Sequence, residues 1–174
     1  MASLVIAYPE IDIEDFNWIQ EIRKSHDLIY FNVVKPHVTL VFGTEKLDSQ
    51  QLTDFVTIKT NNVRSFPIRF DSTRVVEDDS KNFFHLFLVP SIGYKEIQLL
   101  HEILYTDILK SELRLDIPFI PHVGNGTNTS ETEMISLSDS LKGKVIDGTL
   151  DKLTVVEYDG NSVRDIEEIL LTSQ

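Results

Sequence analysis

Two histidines stand in matching company. Each follows a proline and precedes a valine: Pro36-His37-Val38-Thr39 in one place, Pro121-His122-Val123-Gly124 in the other. On an extended strand, residues two apart project to the same face. His37 and Thr39 would therefore offer an imidazole and a hydroxyl side by side. The imidazole can take or give a proton near neutral pH, and the hydroxyl can donate to a phosphate oxygen. Two such strands facing each other would place one histidine on either side of a phosphorus. One would deprotonate an attacking water while the other protonated the departing sugar oxygen. This chemistry needs no metal, and it suits a cyclic phosphodiester whose leaving group stays attached. A His-x-Thr on a strand is also common in proteins that do no such chemistry, so two incidental histidines are the competing reading at this level.

The other histidines are His26, His85 and His101. No pair has the four-residue helical spacing of a zinc enzyme, and no carboxylate-rich cluster accompanies them. We expect no metal and no cofactor. The absence of cysteine excludes disulfides and thiolate catalysis. A net charge of −12 over 174 residues repels polyanions at long range. The expectation is either a small substrate or a local cationic pocket within an acidic surface, and no DNA duplex as partner. No apolar run reaches the roughly 18 residues of a membrane helix. The opening MASLVIAYPEIDIEDF has no basic start and reads as a strand, not a signal peptide. The expectation is a cytoplasmic monomer.

The elements that must position these residues follow from periodicity. SLVIAYP reads as a first strand, and IEDFNWIQEIRKSHD as a helix with acids in its first turn. HVTLVF is a strand, and Asp48 or Ser49 can cap a helix over QQLTDFVTIKTN. FPIRFDSTRVVE and FFHLFLVP, separated by the polar DDSKN, suggest a hairpin. YKEIQLLHEILYTDILK carries Ile97, Leu100, Leu104 and Ile108 on one helical stripe. Ser130 to Glu133 fits a capping box for a helix bearing Met134, Leu137 and Leu141. GTLDKLTVVEYD reads as one strand, a turn follows at Asp159 to Asn161, and SVRDIEEILL closes the chain as another strand. Helices interleaved with hairpins argue for α+β with mainly antiparallel sheet. No linker divides residues 1–174, so one two-lobed domain is expected. Each Pro-His follows a helix and a short extended segment, which hints at two similar halves.

KPHVTLVFG and FIPHVGNG, together with the opening LVIAYP, the strand FFHLFLVP before an amphipathic helix, and KLTVVEYDG near the end, give a resemblance over essentially the whole chain. The chain resembles the two-histidine phosphoesterase superfamily, also called 2′-5′ RNA ligase-like or LigT-like proteins. The resemblance implies a bilobal α+β fold with pseudo-twofold symmetry. Two mainly antiparallel sheets would line a central cleft, with helices outside and one motif strand on each wall. It implies His37 and His122 as the acid–base pair and Thr39 as a phosphate-binding hydroxyl. The implied activity is hydrolysis of a cyclic or 2′-5′-linked phosphodiester of a small nucleotide or RNA end, which would be the partner. The alternative is a weakly active or inactive member that binds nucleotides or RNA ends.

Gly124 stands where that family expects Thr or Ser. A hydrogen bond to a charged group is worth about 1.5–3 kcal/mol, so its loss slows a reaction roughly 10- to 150-fold. Both proton-transfer groups survive, and activity is expected to persist. Gly124 and Gly126 can also expose backbone N–H groups to a phosphate. GNGTNTS would then form a loop, and Thr127 or an amide beside Gly124 would supply the missing donor. His85 would face the cleft from an alternating strand, or sit as a half-exposed strand residue. Lys35 can attract phosphate or remain solvated. Tyr8, at the end of the first strand, can stack on a base or fill the rim. His26 and His101 are assigned no role.

Overall fold

The computed structural model describes residues 1–78 and 82–173. The chain opens with β1 (Ala2–Ala7), the short β2 (Glu10–Ile11) and helix α1 (Ile13–His26). There follow β3 (Val38–Thr44), α2 (Ser49–Thr60), β4 (Phe66–Asp78), β5 (Phe83–Ile92) and α3 (Tyr94–Leu104). The remainder is β6 (Val123–Asn128), α4 (Glu131–Ser140), β7 (Ile146–Leu150), β8 (Lys152–Tyr158) and β9 (Val163–Leu170). Among the described residues the strands form two sheets, ordered β3-β1-β8-β9 and β2-β7-β4-β5-β6. Every pairing of named strands is antiparallel. The fold is α+β, as the interleaved pattern predicts.

The two halves repeat one order of elements. β1, α1, β3, α2 and β4 are echoed by β5, α3, β6, α4 and the β7–β8 stretch. In each half the motif strand folds back antiparallel on the first strand: β3 on β1, and β6 on β5. The closing strands cross over. β4 pairs with β5 of the second half, and β8 pairs with β1 of the first. As a result β3 and β6 both lie at sheet edges.

Local chemistry explains most boundaries. Asp48 caps α2 through a complete capping box, accepting from the Gln51 N–H at 2.8 Å while Gln51 accepts from the Asp48 N–H at 3.1 Å. Acids at Glu14 and Asp15 and bases at Arg23 and Lys24 suit the dipole of α1. Ile97, Leu100 and Leu104 of α3 are buried with Val5, Leu40, Val41 and Val155 in the core.

Four expectations need correction. The helix expected over residues 94–110 ends at Leu104, because Asp107 takes a positive φ of 48° and the Thr106 hydroxyl bonds the Ile103 carbonyl at 2.7 Å. A 3₁₀ turn, Asp107–Glu112, follows, so Leu109 is buried while Ile108 is exposed. The single strand expected over residues 148–159 is two strands in different sheets. The chain changes sheet at Asp151, whose carbonyl accepts from the Leu171 N–H at 2.8 Å. Only half of the Ser130 capping box forms. The Ser130 hydroxyl accepts from the Glu133 N–H, but Glu133 turns to the Asn128 amide and Asn128 takes the Ser130 N–H. Finally, residues 124–128 are not a loop but part of β6. The hairpin of β4 and β5 forms, though part of its expected turn, residues 79–81, lies outside the described residues.

Candidate active site

His37 and His122 each sit immediately before the first residue of an edge strand, β3 and β6 respectively. The two imidazoles are held in the same way. His37 Nδ1 lies 2.8 Å from the carbonyl oxygen of Lys35, and His122 Nδ1 lies 2.5 Å from that of Ile120. In both cases the acceptor is two residues upstream, across a proline. Proline biases the preceding residue toward extended backbone. Its own missing N–H leaves no competing local donor. A carbonyl can only accept, so Nδ1 carries the hydrogen in each ring. Nε2 is left to exchange a proton with whatever lies before it.

Burial dominates the electrostatics of both rings. It pushes His37 down to about 4, against the opposing Lys35 carbonyl, and the Arg23 guanidinium lowers it further. His122 is likewise pushed down to about 4 by burial, against the Ile120 carbonyl; the charges of His37 and His85 add to the depression. Arg23 is buried and its side chain bonds Asp27 at 3.1 Å, Gln20 at 3.0 Å and the Tyr30 carbonyl at 3.1 Å. Its charge is balanced by the Asp27 carboxylate within the same buried pair.

Each wall carries more than its histidine. On the first, Thr39 follows His37 with the alternation the sequence predicts: both are half-buried, and Val38 and Leu40 between and beyond them are buried. Tyr8, just past the β1 residue that pairs with Val38, donates to Asp165 at 2.8 Å, and Lys35 lies over its ring at 5.8 Å. Burial, followed by the Asp165 carboxylate, raises the Tyr8 phenol far above its ordinary value. Lys35 is exposed.

On the second wall, Phe87 of β5 stacks on His122 with ring centres 3.5 Å apart. His85, on the same face of β5, lies 6.0 Å from Phe87. Gly124 pairs with Phe87, and a Cβ built there would meet nothing within 4 Å. One residue later β6 carries a bulge: Phe87 is matched to Gly124, but Leu86 to Gly126. Asn125 is the extra residue and is completely buried. The bulge reverses the strand's parity. Gly126 turns inward, where an added Cβ would touch Leu137 and Met134 at 3.4 Å, and Thr127 turns to the face of His85. Thr127 Oγ1 lies 3.0 Å from His85 Nδ1.

Helix α3 pins the first wall. His101 Nδ1 donates to the Leu40 carbonyl at 2.8 Å, and the Phe42 N–H donates to the Tyr105 hydroxyl at 3.0 Å. These side chains satisfy the outer edge of β3. Among the described residues no group of three His, Asp or Glu is placed to hold a metal ion. Two hollows lie elsewhere, one beside Trp18, Phe70 and Lys144, the other beside Gln50 and Glu168; neither is lined by a histidine. The candidate site is marked by its paired chemistry, not by the depth of a cavity.

The sequence matches the 2′-5′ RNA ligase superfamily over residues 9–162. The chain belongs to this superfamily. Solved structures agree on the fold. E. coli LigT complexed with 3′-AMP is 13% identical, with 98% of each chain covered and a TM-score of 0.58. A protein described as a phosphoesterase is 14% identical over 98% of each chain, with a TM-score of 0.58. Usb1 of Kluyveromyces marxianus is 13% identical over 97% of each chain, with a TM-score of 0.56. Comparison with curated protein sequences gave no match. In this 2′-5′ RNA ligase superfamily chain, sequence reasoning singled out both edge-strand histidines, Thr39, Thr127 and His85. It missed Arg23, Phe87 and His101. The Arg23/Asp27 pair has the four-residue spacing of a helical ion pair, a signal present in the sequence. Phe87 and His101 reach their partners only through tertiary packing, so no local signal marks them.

Proposed function

We propose that the chain is a metal-independent phosphodiesterase acting on a cyclic 2′,3′-type or 2′-5′-linked phosphodiester of a small nucleotide or RNA end. Superfamily membership supports a phosphoesterase-type activity. The observation that carries the finer reading is the matched setting of His37 and His122, each with Nδ1 committed to a backbone carbonyl and Nε2 left for proton transfer. In the reactive form one ring is neutral and the other protonated. The neutral Nε2 takes a proton from water as the water oxygen bonds to phosphorus. The bond from phosphorus to the sugar oxygen breaks, and that oxygen takes the proton from the other Nε2. Thr39 donates to a phosphate oxygen, and Tyr8 offers a face for the base, with Lys35 beside it. LigT has been crystallised with 3′-AMP and K. marxianus Usb1 with uridine monophosphate. Nucleotide-sized ligands are the natural first substrates to try here.

The test is turnover of 2′,3′-cyclic nucleotides and 2′-5′-linked dinucleotides with EDTA present. Product from wild type on at least one of them supports the reading, and no product from any of them contradicts it. A second reading, a nucleotide-binding member without efficient turnover, draws on Gly124, which gives the second wall no hydroxyl where the first has Thr39. Micromolar binding of a nucleoside monophosphate without hydrolysis of any diester would favour it.

A further inference from the structure

The two walls are unequal beside their histidines. His37 has Thr39 two residues on, whereas His122 has Gly124 and open space above it. We propose that Thr127, aimed by His85, supplies the second wall's phosphate donor. The inference rests on the two-histidine reading above and names the groups that complete its anion grip.

The bulge makes this possible. It brings a hydroxyl onto the site face three residues after Gly124, where an unbroken strand would have turned it to the core. With no Cβ at Gly124, a phosphate can settle against the strand and approach the next pair, His85 and Thr127. His85 decides which way the hydroxyl points. With its hydrogen on Nδ1, His85 donates to Thr127 Oγ1 and the Thr127 hydrogen is free to donate into the site. With Nδ1 bare, the hydroxyl donates to His85 instead and offers an anion nothing. An incoming oxyanion selects the first arrangement, a chain from His85 N–H through the Thr127 hydroxyl to a phosphoryl oxygen. The Asp78 carboxylate of β4 lies 3.6 Å from the other ring nitrogen, Nε2. Thr127 is thus a binding residue, and His85 a positioning residue acting through it.

The experiment measures inorganic phosphate binding by calorimetry, alongside hydrolysis of a 2′,3′-cyclic nucleotide. Thr127→Val should weaken phosphate binding roughly 10- to 150-fold, and Thr127→Ser should stay near wild type. His85→Ala should weaken binding similarly and add little in the Thr127→Val background, because both act through one hydroxyl. Gly124→Thr should restore binding to Thr127→Val, since the space above residue 124 accepts a side chain. Each variant is checked for a wild-type circular dichroism spectrum. If wild type binds and hydrolyses while Thr127→Val does both equally well, this inference is overturned and the two-histidine reading stands. If wild type neither binds phosphate nor hydrolyses any diester, both fall together.

Discussion

The imidazole of His101 lies flat on the ring of Phe119, with centres 3.7 Å apart and planes within 2°. The same imidazole donates from Nδ1 to the carbonyl of Leu40. Leu40 follows His37 by three residues, and Phe119 precedes His122 by three. One side chain on α3 therefore holds the backbone of one motif strand and the approach to the other. Burial keeps this ring's pKa below its ordinary value, and the neutral form needs only its Nδ1 hydrogen for the bond.

His101→Phe should separate the two contacts. The aromatic stack can persist, but the Leu40 carbonyl loses its donor. Unfolding in urea should show a loss of about 1–3 kcal/mol. The turnover number should fall by up to about 100-fold through misplacement of His37, with little change in KM. Wild-type stability and turnover in this variant would show that the clamp has no positioning role.

Much of this architecture was legible in the sequence, for physical reasons. The α1, α2 and β4–β5 signals are local, resting on helical period, capping and alternation, and they formed where expected. What the sequence hid depends on partners far along the chain. Residues 148–159 look like one strand because Leu, Thr, Val and Tyr dominate the run; only pairing with two different neighbours divides them at Asp151. The glycines at 124 and 126 suggested a loop, yet pairing with β5 holds them extended and turns the irregularity into a bulge. That bulge decides which face Thr127 occupies, and no period in the sequence reveals it. The histidine settings were half legible. The Pro-His pair is visible, but the carbonyl that fixes each tautomer is a matter of folded geometry.

The histidine settings predict an acid-shifted pH response. The reactive form needs one ring neutral and one protonated, and burial holds both near about 4 in the free protein. The profile of kcat/KM should therefore be a bell centred near about 4. A bound phosphate anion favours both protonated forms, so kcat itself should peak at higher pH. A kcat/KM profile that climbs steadily to alkaline pH would contradict the assignment.

Stability should follow the same groups. Unfolded histidines bind protons below about 6.5, while His37 and His122 in the fold wait until about 4. The unfolded chain therefore takes up protons first. This contribution is complete above about pH 6.5 and is lost as pH falls toward 4. Thermal unfolding across that range should show a midpoint that falls with pH. Replacing both histidines with Gln should flatten the slope.

Asp27 and Arg23 form the buried ion pair behind His37, with side chains 4% and 2% exposed. Asp27→Ala leaves the guanidinium without its carboxylate and should cost about 3–5 kcal/mol. Arg23→Met removes the nearby charge, so His37 should titrate at higher pH by NMR. An unchanged His37 titration would show that the charge of Arg23 does not reach the ring.

The central claim is that His37 and His122 act as one proton-transfer unit. The most direct measurement is single-turnover hydrolysis of the best 2′,3′-cyclic nucleotide by wild type, His37→Ala, His122→Ala and the double variant, with EDTA present. Each single substitution should lower the rate about 10²- to 10⁴-fold. The double variant should be far less impaired than the product of the two losses, because the groups work together. A single variant that turns over as fast as wild type would contradict the account.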